Sequence, residues 1–280
     1  MRSLNLKLQN SKLMITQLPP QSSDPIEHDH GDDYQISIPL SGTPFIDLNQ
    51  KTNLLSPTLR TITSPGEKHL HFTADTESKI LLINLNKHFV DEVVSSKFKN
   101  EITDIVFNRV ETGSSEKFIK IADELIRKSL LLPEDDITIA ELEWQLAETL
   151  LTLQTSSYSD KWKKEVVLNH HPVIKNLTAY IYENSALPIS LEDLSKETNM
   201  SKYYLIRTFK EVMGITPGQF IIQVRLEKAV ELLKNTNTDI TTAGFQVGFG
   251  SLSTFERTFR KRFGMSISDY RKNYLLNTKK

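Results

Sequence analysis

The chain contains no cysteine. That excludes a disulfide framework and any thiolate metal site, and it fits a reducing cytoplasm. No run of about 18 apolar residues occurs, so no transmembrane helix is expected. The opening residues, MRSLNLKLQNSKL, are too polar for a secretory signal peptide, and a cytoplasmic protein is expected. There is no glycine-rich phosphate loop and no nucleophile elbow, which leaves kinase and hydrolase readings without support. What is present is a composition of 38% hydrophobic and 25% charged residues over 280 positions, enough for one large soluble domain or two ordinary ones.

The formal net charge of -1 hides an asymmetry. From Val173 onward there are 16 Lys and Arg against 10 Asp and Glu, whereas the first 172 residues carry 18 against 25. A basic C-terminal third joined to an acidic remainder points to one part that meets a polyanion and one that does not.

Within the basic third a block occurs twice, fifty residues apart. Ser201 to Phe220 reads SKYYLIRTFKEVMGITPGQF and Ser251 to Tyr270 reads SLSTFERTFRKRFGMSISDY. Helical steps put Leu205, Phe209 and Val212 on one face, and Phe255, Phe259 and Phe263 on the matching face. The opposite faces carry Tyr203, Ile206, Arg207 and Lys210, and Leu252, Ser253, Glu256, Arg257 and Arg260. Each repeat helix follows a shorter helix and a tight turn, at Glu197 to Ser201 and Val247 to Ser251. That is a helix-turn-helix order, whose second helix enters the DNA major groove. Between the units, residues 217 to 234 span about 27 Å as a helix. A rod of that length can hold two recognition helices near the roughly 34 Å separation of successive major grooves. The plain alternative is a helical bundle whose basic faces are merely solvated.

The N-terminal part reads differently. Short β runs such as Tyr34 to Pro39, Phe45 to Leu48 and Lys79 to Leu85 are separated by turn clusters, as in a small barrel or sandwich. Helical spacing follows at Lys87 to Val94, Glu116 to Leu132 and Ile137 to Gln154. The last of these carries a second apolar stripe, Trp144, Ala147 and Leu151, which is expected to meet a second subunit; burial within one subunit is the alternative. Thr155 to Pro172 is polar and aperiodic. The expected division is therefore a sensor and dimerisation domain at 1–157, a linker at 158–172 and a DNA-binding domain at 173–280.

The C-terminal 105 or so residues resemble the AraC/XylS family of bacterial transcription regulators. The resemblance runs through Gly248-Phe249, Phe255, Phe259, Arg260, Gly264 and Tyr270-Arg271. Two departures stand out. Thr242-Ala243 followed by Gly244-Phe245 replaces the usual Ile-Ala pair, and Ile267 replaces the usual Pro; both are expected to loosen the second unit. The resemblance implies double-stranded DNA as partner, a non-enzymatic activator, a homodimer, and contact with RNA polymerase, with no membrane partner. It implies a guanine contact from Arg207, apolar base contacts from Tyr203 and Ile206, and a base or phosphate contact from Arg257. Ser253 would bond a base edge and Glu256 a cytosine amine, with Leu252 beside them, while Lys202, Lys210 and Arg260 would clamp phosphates.

His28-Asp29-His30 with Asp33, and Pro65-Gly66-Glu67-Lys68-His69-Leu70-His71, resemble the two motifs of the cupin barrel. The implied fold is α+β in two domains: a cupin-like β-barrel with dimerisation helices, then an all-α domain of two helix-turn-helix units joined by a linker helix. The implied use of His28, His30, Tyr34, Arg60 and His69 is to line a pocket for a small effector, with no cofactor. The alternative is a metal held by His28, His30, Asp33 and His69, as in a metal-dependent cupin enzyme with a helical tail. A further alternative is a ligand-independent DNA binder whose barrel only dimerises.

Overall fold

A computed structural model describes residues 3–97, 104–131, 136–159, 171–235 and 238–277. The chain divides into two compact units, residues 1–167 and 168–280. The expected linker at 158–172 straddles that division, and its residues 160–170 lie outside the described residues.

The first unit contains β1 (Ser3–Lys7), β2 (Ser11–Leu18), β3 (Asp33–Ser41), β4 (Pro44–Leu48), β5 (Lys51–Leu54), β6 (Leu59–Thr63), β7 (His69–Thr73) and β8 (Ser78–Asn86). These are followed by α1 (Lys87–Lys97), β9 (Val110–Thr112), α2 (Glu116–Leu131) and α3 (Asp136–Leu153). They form a six-stranded sheet in the order β1-β2-β8-β3-β6-β9 and a three-stranded sheet in the order β5-β4-β7. All pairings are antiparallel.

Register decides which side chains share a face. Gln35 lies opposite Asn84 and Ser37 opposite Leu82, so these four point one way; Tyr34, Ile36 and Ile38 point the other, with Leu85, Ile83 and Leu81. Both sets are buried, which explains why β3 and β8 read as nearly unbroken apolar runs rather than as alternating strands. Packing between the sheets is carried by Ile80 and Leu82 of β8 with Ile46 and Leu48 of β4, joined by Leu18 and Leu55.

Helix α3 is tied to the large sheet by a polar contact rather than by periodicity. Its buried Glu143 accepts hydrogen bonds from the Asn10 backbone and amide and from the Ser11 hydroxyl at 2.8–3.1 Å. Burial pushes the Glu143 carboxyl above the usual range even though these hydrogen bonds pull it down. The second stripe of α3 is not open to a partner: Trp144, Ala147 and Leu151 are at most 2% exposed. The expectation of a free dimerisation face on this stripe is corrected on that ground, because an already buried surface gains nothing from a second subunit.

Arg60 and Tyr34 also differ from expectation. Arg60 is buried, and its guanidinium donates to the carbonyls of Thr112, Ser114 and Leu153 and to the Gln154 amide oxygen. It thereby joins β6 to β9 and to the end of α3, where a cation also meets the helix dipole favourably. Tyr34 donates its hydroxyl to the Ile105 carbonyl at 2.8 Å and stacks edge-on against Phe107. Neither presents a polar group to an effector, since each has spent it on backbone.

The second unit is helical: α4 (His171–Asn184), α5 (Leu191–Thr198), α6 (Lys202–Met213), α7 (Pro217–Asn235), α8 (Ile240–Gln246), α9 (Leu252–Phe263) and α10 (Ile267–Asn277). Among the described residues no helix is long and apolar enough to cross a membrane.

Replacing Arg60 by Met should keep the buried stem but strand three carbonyls, and should cost about 2–3 kcal/mol. Thermal denaturation of the full chain measures this; a loss below about 0.5 kcal/mol, typical of a surface change, would remove Arg60 from the framework.

Candidate nucleic-acid interface and histidine cluster

The two repeats fold alike because the same local devices recur at a spacing of fifty. Ser201 caps α6 by accepting from the Tyr204 amide, and Ser251 caps α9 by accepting from the Thr254 amide. Gly214 (φ 74°) and Gly264 (φ 73°) close the two helices in the left-handed region that favours glycine. The following helices start alike as well: Thr216 accepts from the Gln219 amide and Ser266 from the Asp269 amide. Before each recognition helix a capped shorter helix begins, at Ser190 for α5 and Asp239 for α8. These are two complete helix-turn-helix units.

The long helix α7 belongs to both. Phe220 near its start packs against Phe209 of α6 at 5.6 Å between ring centres. Leu226, Ala229 and Leu233 further along join Ala243, Val247, Phe249, Phe255, Phe259 and Ile267 in one buried cluster. Arg225 in the middle donates to the carbonyls of Ser185 (2.8 Å) and Leu187 (3.1 Å), fixing α7 to the loop after α4.

Neither departure from the family pattern loosens the second unit. Ile267 is 2% exposed and part of the cluster, so an apolar side chain at the helix start is used for packing. Gly244 lies where a Cβ would sit 2.6 Å from Cδ1 of Phe255. Fifty residues earlier the matching pair is Leu194 and Leu205, both fully buried. The second unit thus exchanges two medium side chains for one large and none, which preserves volume.

The expected outer faces differ in exposure. On α9, Ser253, Glu256, Arg257 and Arg260 are exposed. Leu252 instead packs at the edge of the buried cluster, a correction to its place among the contact residues. On α6 the matching residues are covered: Tyr203 is 7%, Ile206 0% and Arg207 6% exposed. The expectation of an open face is corrected here. Tyr203 and Ile206 are apolar where α9 has Ser253 and Glu256, so water does not favour leaving this face bare. Arg207 lies beside Glu211 at 3.5 Å and over the Tyr204 ring at 5.1 Å, and Lys202 pairs with Glu192 at 2.7 Å. Lys210 is half-buried.

In the first unit, the segment before β3 lies along β7 by backbone pairing. Asp24 donates its amide to the His71 carbonyl, and His28 and His69 exchange amide hydrogen bonds at 2.9–3.0 Å. This brings His28, His30 and His69 together, with ring centres 4.8–5.0 Å apart and one nitrogen of each within 4.8 Å of the others. His30 and His69 are held near a pKa of about 4, chiefly by burial, so both rings are neutral at neutral pH. Asp33 is not part of the group; its carboxylate accepts from Asn86.

Sequence reasoning missed the polar wall behind these rings. His71 contacts Asp24 through Nδ1 at 3.1 Å and Ser37 through Nε2 at 2.9 Å. Burial pushes the Asp24 carboxyl up, but hydrogen bonds from His71 outweigh it and leave it lowered. The Ser37–His71–Asp24 order is that of a nucleophile, base and orienting acid, yet Ser37 is fully buried and so serves the wall. Gln35 contacts both His30 and Asn84. The signal was legible in principle: His71 shares the face of His69 by strand alternation.

A family model described as a helix-turn-helix domain matches residues 194–273. The regulatory protein SoxS of Escherichia coli K12 is 36% identical over 104 residues, covering 37% of this chain and 97% of that protein. The lactose operon transcription activator of Staphylococcus xylosus is 29% identical over 145 residues, covering 52% of this chain and 50% of that one. Among solved structures, a probable AraC family regulator of Rhodopseudomonas palustris is 30% identical, with a TM-score of 0.35, covering 37% of this chain and 97% of that one. The chain belongs to the AraC/XylS family of DNA-binding transcription regulators.

Gly244→Ala should force Phe255 aside and cost about 1–3 kcal/mol by overpacking. Adding Phe255→Leu should restore most of the loss in a thermal melt; a double variant no better than the single would show that the two residues are not coupled.

Proposed function

We propose that the chain is an effector-responsive activator of transcription, cytoplasmic and homodimeric, and a regulator rather than an enzyme. The observation that carries this reading is the pair of equally capped helix-turn-helix units sharing one helix, α7, of about 28 Å. Such a spacing suits two recognition helices in successive major grooves on one face of DNA. The exposed Arg257 and Arg260 on α9, with Ser253 and Glu256 between and beside them, form the second contact face. Arg207 reads guanine from α6 and Lys202 and Lys210 clamp phosphates; Tyr203 and Ile206 join them once this face is uncovered, since a residue meets a base edge only when it is accessible.

The first unit receives the effector. His28, His30 and His69 are the expected lining residues that lie together, and Gln35 and Asn84 extend the polar surface. Tyr34 and Arg60 are left out, because their polar groups hold the framework. RNA polymerase is the partner through which binding becomes activation. The homodimer rests on the family resemblance, as the Trp144 stripe does not provide its interface.

Selection of bound sequences from a random duplex library by the full chain tests this reading. Two enriched blocks about 10 base pairs apart are expected; absence of enrichment in every tested condition would overturn it. On the selected site, Arg257→Ala should weaken binding by about 1–3 kcal/mol and relax one base position, whereas an equal loss on all sequences would make it a phosphate contact. Affinity should also fall steeply between about 50 and 200 mM salt.

A further inference from the structure

The histidine cluster carries an inference that deepens the effector reading. Three rings from two separate pieces of chain converge: His28 and His30 from the segment before β3, and His69 from the first residue of β7. Their orientation is set by hydrogen bonds on the far side. Nδ1 of His28 is 3.1 Å from the Ile26 carbonyl, and Nδ1 of His69 is 3.2 Å from the Glu67 carbonyl. A carbonyl can only accept, so Nδ1 carries the proton in both rings and Nε2 keeps its lone pair. This backbone support of one ring nitrogen is the arrangement that orients a metal-ligating histidine.

His69 Nε2 makes the point sharper. It is fully buried and has no hydrogen-bond partner. A buried acceptor without a partner is costly and rare, and it calls for an occupant. A hydrogen-bond donor from a bound organic molecule would satisfy one such nitrogen. Three imidazole nitrogens within 4.8 Å of one another ask for something that accepts three lone pairs at once, which is a cation.

We propose that His28, His30 and His69 bind a divalent transition-metal ion of the kind that imidazole favours, such as zinc, nickel or copper, and that occupancy by this ion is the signal the first unit senses. Asp33 is not a ligand. The next polar groups are the side-chain amides of Gln35 and Asn84, so the donors are neutral and the ion retains its full charge. Because its ligands come from both chain segments, the ion staples residues 24–30 to β7 across the existing His28–His69 bridge. Metal affinity then becomes stability of that part of the barrel. The sensing half of this proposal rests on the effector-responsive reading; the binding half does not.

The experiment uses the full chain, stripped with chelator and dialysed against zinc, with cobalt substituted for its visible spectrum. One ion per chain and intense cobalt bands are expected. His69→Ala and His28→Ala should each weaken zinc binding by about 100-fold or more, since even the outer partners of ligating histidines are worth about 10–100-fold. Asp33→Ala should leave it unchanged. Circular dichroism of each variant separates lost ligands from lost folding, and the cobalt spectrum of the parent chain stands without any variant. Sub-stoichiometric metal, or zinc binding that His28→Ala and His69→Ala leave intact in folded protein, would overturn the site while leaving the regulator reading untouched. Affinity for the library-selected duplex, with and without zinc, tests the signal. A change of about 5-fold or more is expected, the lower end of ordinary allosteric coupling. One bound ion with unchanged DNA affinity would keep the site and overturn its role as signal.

Discussion

Everything in the C-terminal unit depends on one apolar constraint: two short helices must bury the same face, and a single helix, α7, serves both. Phe209 meets Phe220 at its beginning, while Phe255, Phe259 and Ile267 meet Leu226, Ala229 and Leu233 towards its end. Burial of aromatic and branched side chains is worth about 1.5–3 kcal/mol each. Shared among the residues of one rod, that energy fixes the separation and relative turn of both recognition helices. A flexible link of the same length would leave the spacing to chance. The rod makes spacing a property of the folded core.

The same constraint explains where the sequence is free to vary. At Gly244 and Phe255 the second unit differs from Leu194 and Leu205 in the first, yet summed volume is kept and the ring lies against the bare backbone. On the outer faces nothing of this kind binds the two repeats together. One became polar and open, with Ser253, Glu256 and Arg257; the other became apolar and covered, with Tyr203 and Ile206. Equivalent positions on equivalent helices can therefore read different bases.

The first unit applies a different division. The space between its sheets is apolar around Ile46, Leu48, Ile80 and Leu82, and polar around Gln35, Ser37, Asn84 and the four histidines. Polar groups in such a place must be paired. Most are: His71 with Asp24 and Ser37, Gln35 with Asn84. The unpaired nitrogen of His69 is the exception, and it lies where His28 and His30 arrive from another part of the chain. Structural satisfaction on one side and an open nitrogen on the other is how a wall becomes a site.

The local order of this protein was determined by its sequence alone. Helix periodicity, the capping serines at 201 and 251, the stops at Gly214 and Gly264, and the fifty-residue repeat all act within a few residues of themselves, so they can be read without a fold. The paired histidine motifs were legible for the same reason. Tertiary structure decided the rest. Arg60 and Tyr34 looked like site residues until their partners appeared, some 94 and 71 residues away in the chain. Asp33 adjoins the motif in sequence but turns to Asn86, while Gln35 and His71 join the wall through strand register. The Trp144 stripe and the outer face of α6 read as exposed from periodicity, which reports that a helix has two sides but not what covers them. Side-chain chemistry fixes what a group can bond; only the folded chain fixes which group it meets.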